Sequence, residues 1–159
     1  PRGVRHGAAR GLDAVLAYLH YTAVFVLFAF LTVEVVVSRG TLDAKTVGLL
    51  ARVDLWYVGA TAVALVTGFA RALWGAKGWA FYSGDWVFHA KVTLFLVVAG
   101  LAIAPALAIL RWNRRAAAEP GFTVADEERR RLRRYLMWEV HVAALIPILA
   151  VVMARGLAR

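Results

Sequence analysis

Four long apolar runs separated by short polar breaks organise the chain. The first, from Val15 to Val37, carries His20 near one end and Glu34 near the other. About 20 apolar residues suffice to cross a bilayer as a helix, so each run predicts a membrane-spanning helix. Helix one is expected over about 12–37, preceded by a basic arm and stopped by Ser38, Arg39 and Gly40. Thr41 and Asp43 offer N-caps for helix two, about 44–74. Residues 79–85 form an aromatic link suited to headgroup depth. Helix three is expected over about 86–111, with a kink at Pro105. A loop over 116–126 leads to helix four, about 127–155, which holds Pro147. The predicted fold is all-α: an up-down four-helix bundle in the membrane, one domain over 1–159.

Composition supports that class. The chain has 159 residues, 62% of them hydrophobic, and a mean hydropathy of +0.66. A soluble domain is far less apolar. Cysteine is absent, which removes disulfides, thiolate metal sites, covalent haem attachment and cysteine nucleophiles. The first run is too long and too polar for the core of a signal peptide. The net charge of +9 would suggest nucleic acid in a soluble protein. Here the basic residues gather at the ends of apolar runs, so the lipid bilayer is the expected partner and nucleic acid is not. Four crossings put both termini on one side. The other side holds Arg39, Lys45, Arg52, Arg111, Arg114, Arg115 and the arginines between 129 and 134, eleven of the 19 basic residues. The positive-inside rule makes that loop side cytoplasmic and the termini periplasmic.

Ionisable residues at membrane depth are expensive and face other helices. His20 and Glu34 are 14 residues apart, which puts them within roughly 40° of each other on one helix face. Up-down threading sorts the polar residues into two layers. His20, Arg71, His89, Lys91 and Arg155 fall near the terminal side. Glu34, Arg52, Asp54, Glu139 and His141 fall near the loop side. On helix two, Asp54, Tyr57, Thr61, Ala64, Gly68 and Arg71 recur at steps of three and four, an expected inward seam. The small residues Ala60, Ala64 and Gly68 permit close helix approach.

The terminal-side layer combines imidazoles with cations. A b-type haem needs one or two imidazoles on facing helices and cations for its propionates, and bundle cores are a usual place for it. His20 with His89 or Lys91, and Arg71 and Arg155 for the propionates, are the candidate cofactor residues; Lys77 lies nearby in sequence. The plainer reading is that interfacial histidines bond headgroups or backbone. On the loop side, Glu34, Asp54, Tyr57 and Glu139 with Arg52 read as a buried ion-pair network. The sharper alternatives are a proton relay or a divalent-cation site.

The stretches Leu19-His20 with Glu34, Ala51 to Asp54 with Tyr57, Thr67 to Arg71, Lys77-Gly78, Phe88 with Lys91 and Phe95, and Pro147 with Met153 to Gly156 carry a resemblance. The chain resembles a family of small bacterial four-helix inner-membrane proteins of unknown function. More distantly, Leu19-His20 and Trp86-Val87-Phe88-His89-Ala90-Lys91 resemble the HemJ-type protoporphyrinogen oxidases and CopD-type membrane proteins, although Trp86 stands three residues before His89 rather than two. That likeness implies His20 as a haem ligand and Lys91 as a second functional position. The leading expectation is therefore a bacterial inner-membrane protein that binds haem b or a porphyrin, with electron transfer or oxidation of a tetrapyrrole or quinol as its chemistry. The alternative is a non-enzymatic membrane subunit, self-associating or part of a larger complex, with structural ion-pair layers or proton or cation handling.

Overall fold

A computed structural model describes residues 2–75 and 78–155, with side chains from Gly11 onward. Its helices are α1 (Arg2–Val37), α2 (Ala44–Trp74), a short α3 (Trp79–Ser83), α4 (Trp86–Ala118) and α5 (Asp126–Arg155). Four of them, all but α3, are long and apolar enough to span a membrane. α1 packs on α2, α2 on α4 and α4 on α5, and α1 touches α5 over a smaller area. The two interhelical loops 38–43 and 119–125 lie at one end, called the loop end below; the opposite end is the terminal end.

The helix ends differ from expectation. The basic arm is helical from Arg2, because its glycines weaken a helix by about 1 kcal/mol each but no proline stops it. α4 continues past Arg111 to Ala118. Three alanines, the best helix formers, extend it, and Arg115 pairs with Glu119 at 3.1 Å one turn on. Gly121, at φ +74°, makes the turn that follows. The expected loop over 116–126 thus shortens to 119–125. α4 runs through Pro105 and α5 through Pro147 as continuous helices. The aromatic link contains α3, whose Trp79 and Tyr82 rings pack on Phe88 at centroid distances of 6.2 and 5.3 Å.

The loop end is closed by a cap whose buried residues continue the core of the bundle. Asp43 caps α2, accepting from Thr46 N at 2.8 Å; that bonding holds its carboxyl below the usual range. Val124 N donates to Leu42 O at 3.0 Å, joining the two loops. Arg129 donates to Arg39 O at 3.0 Å and pairs with Asp126 at 2.8 Å. Beneath them Leu42, Val47, Leu50, Trp112, Phe122 and Leu132 are buried. At about 25 cal/mol per Å² of apolar surface removed from water, side chains of this size contribute roughly 1.5–3 kcal/mol each. The cap therefore fixes the helix spacing immediately above the loop-end polar layer.

Candidate functional site

The loop-end layer is assembled from three helices. α1 supplies Glu34, α2 supplies Asp54 and Tyr57, and α5 supplies Glu139. Relative exposure is 1% for Glu34, 1% for Tyr57 and 0% for Glu139, and Asp54 is half-buried. Glu34 lies within electrostatic reach of both Asp54 and Glu139, and Glu139 adjoins Tyr57. Leu27, Leu31 and Leu136 belong to the same buried cluster as Tyr57. Yet Glu34 Oε1, Tyr57 Oη and both carboxyl oxygens of Glu139 are buried with no hydrogen-bond partner. Tyr57 and Glu139 approach each other without reaching hydrogen-bond geometry.

The expected ion-pair network is not formed. Arg52 is exposed; two residues before Asp54, it projects roughly 200° away from it on the helix. No ion pair among the described residues joins any of the four groups to a cation. His141 is likewise exposed, donating to Met137 O at 2.6 Å, two residues from the inward Glu139. The buried stripe of α2 is Val53, Tyr57, Ala60, Ala64, Thr67 and Ala70. The predicted seam at Asp54, Thr61, Gly68 and Arg71 flanks it, half-buried.

At the terminal end, His20 binds α2. Its Nδ1 donates to Ala64 O at 3.0 Å and lies 3.2 Å from Thr67 Oγ1. A carbonyl only accepts, so Nδ1 carries the hydrogen and Nε2 is the uncommitted ring nitrogen. The approach depends on Gly68: a Cβ there would sit 3.1 Å from His20 Cε1. One turn further, the Arg71 guanidinium lies 5.2 Å from the centre of the Tyr21 ring, and its Nε is hidden without a partner. Lys91, half-buried on α4, is within electrostatic reach of Arg71 and His20.

His89 and Arg155 do not join this group. His89 is exposed and its Nε2 donates back to Ser83 O at 2.9 Å, so among the described residues no second imidazole faces His20. Two residues from Lys91, it projects to another side of α4. Arg155 is exposed at the end of α5. Lys77 and Gly156 lie outside the described residues. Among the described residues, no group of three His, Asp or Glu could hold a metal ion. Thr67, Tyr21 and Tyr82 were not among the expected site residues. Thr67 follows Ala60 and Ala64 at helical spacing, which is the signal that could have found it.

Matching of known families to the sequence is decided along almost the whole chain: the model of the family described as predicted membrane protein DUF2214 matches residues 12–158. The chain belongs to that family. It is a family of unknown function, and the match fits the four spanning helices. No curated protein matches the chain, and no solved structure does. Likeness to HemJ-type or CopD-type proteins is not shown.

Proposed function

We propose that this membrane bundle handles protons through Glu34, Tyr57 and Glu139, with Asp54 connecting the group to its half-buried edge. The observation that supports this reading is the set of hidden, unpartnered oxygens on Glu34, Tyr57 and Glu139. Burying an unpaired carboxylate carries a penalty of several kcal/mol. A layer of carboxyls with no cation is neutral only with its protons on. A protonated carboxyl has one O–H donor and keeps acceptor capacity, and a tyrosine hydroxyl both donates and accepts. Small side-chain rotations would then pass hydrogen bonds among the three groups. Intramembrane carboxyls of this kind mark proton relays. The experiment is proton flux into vesicles containing the purified protein, driven by an imposed pH gradient. The wild type is expected to conduct, and Glu34→Gln and Glu139→Gln to fall to the level of protein-free vesicles. Wild-type flux at that level would end the proposal.

A second reading keeps the haem expectation on one residue. The bond from His20 Nδ1 to Ala64 O leaves Nε2 as the ligating nitrogen, the arrangement that orients metal-bound histidines. Among the described residues there is one axial ligand and no facing imidazole, so His20 and His89 do not form a bis-histidine haem site. A Soret band that disappears in His20→Ala would favour this reading; a featureless absorbance spectrum, oxidised and dithionite-reduced, would remove it.

A further inference from the structure

The terminal end carries the opposite charge from the loop end: among the described residues, no ion pair joins Arg71 or Lys91 to an acid. His20, Arg71 and Lys91 come from three different helices and meet half-buried. Arg71 Nε is fully hidden and unpartnered. Lys91 forms no ion pair or hydrogen bond to a described residue. Two acids lie near: Asp85, which acts on Lys91 and accepts from Val87 N at 2.9 Å, and Asp13, which acts with Arg71 on Tyr82.

The cations are also held in place. Tyr21 lies against the Arg71 guanidinium at 5.2 Å, and His20 is fixed by Ala64 O with its Nε2 uncommitted. Around them Tyr18, Trp74, Trp79 and Trp86 are 46–70% exposed. Exposed tryptophans and tyrosines collect where a membrane protein meets the headgroups. The group therefore sits at the depth where phosphates are found.

We propose that His20, Arg71 and Lys91 form a binding site for a phosphate-bearing anion. A planar guanidinium presents two parallel N–H donors to an oxyanion, and an ammonium adds a compact charge. His20, whose Nδ1 hydrogen goes to Ala64 O, adds a third, separately directed donor only when the bound anion brings a second proton onto Nε2. Basic pockets between membrane helices bind phospholipid headgroups in this manner. The site shares no residue with the carboxyl layer, and its success or failure is independent of the proton reading.

The test uses the full chain in a mild zwitterionic detergent. Thermal unfolding is followed while short-chain phosphatidylglycerol, short-chain phosphatidylcholine or inorganic phosphate is titrated at constant ionic strength. A saturable rise in melting temperature with phosphatidylglycerol is expected, beyond that given by phosphatidylcholine. A response to phosphatidylglycerol alone assigns the site to a lipid headgroup. An equal response to inorganic phosphate assigns it to a soluble phosphate. Either result supports the site if Arg71→Gln and Lys91→Gln each weaken apparent affinity by roughly tenfold or more while the exposed Arg133→Gln does not. Lys91→Gln carries the test alone if Arg71→Gln fails to fold. No saturable response in the wild type, or one that survives both substitutions, overturns the proposal.

Discussion

The two polar layers differ in sign, and neither neutralises the other. Among the described residues, Glu34 and Glu139 are hidden at the loop end with no ion pair to a cation, and Arg71 and Lys91 are half-hidden at the terminal end with no ion pair to an acid. Glu34 and His20 lie on the same helix, 14 residues or about 21 Å apart. An ion pair needs an approach within about 4 Å, so the two layers cannot pair with each other. Each layer therefore needs its own neutraliser. A proton suits the carboxyl end, where the space is closed by Leu31 and Leu136. An anion suits the basic end, which is open to the headgroup region. The contrast also explains why a buried carboxyl and a half-buried arginine are tolerated in one bundle: one can become neutral by protonation, and the other cannot shed its charge and stays near the interface.

The comparison can be broken most strongly at Gly68. Gly68→Leu would drive a side chain into His20 and is expected to destabilise the protein by about 1–3 kcal/mol. It should weaken phosphate binding and leave proton flux through the carboxyl layer intact; loss of both together would mean that the two layers are not independent. Glu139→Gln is a smaller change. A neutral amide replaces a neutral carboxyl, so the expected loss is below about 1 kcal/mol. Breaking a buried ion pair would instead cost about 3–5 kcal/mol, and a denaturation midpoint shifted by that much would favour such a pair. The exposed Arg52→Gln should stay within about 0.5 kcal/mol, and a larger loss would return Arg52 to the network.

Much of this was legible from the sequence. Four apolar runs announce four helices, and His20 and Glu34 declare the two polar layers because lipid admits few ionisable groups. The residues that misled were those beside a true site residue. Arg52 adjoins Asp54 in sequence but turns outward, and His89 adjoins Lys91 yet bonds Ser83 instead. A two-residue offset on a helix separates neighbours, and only packing decides which of them faces in. The loop-end cap was hidden for a different reason. Leu42, Phe122 and Val124 are isolated apolar residues in polar loops, and their burial depends on two loops meeting across 82 positions of chain. The extension of α4 to Ala118 rests on end effects of a few tenths of a kcal/mol, too weak to read against the preceding arginines.

The central claim is that the loop-end carboxyls carry protons while folded in the membrane. Infrared absorption tests it most directly, because the C=O stretch of a protonated carboxyl is distinct from the bands of a carboxylate. At neutral pH the wild type should show that stretch, shifted on exchange into heavy water and diminished in both Glu34→Gln and Glu139→Gln. Carboxylate bands alone at neutral pH, unchanged in either variant, would contradict the account.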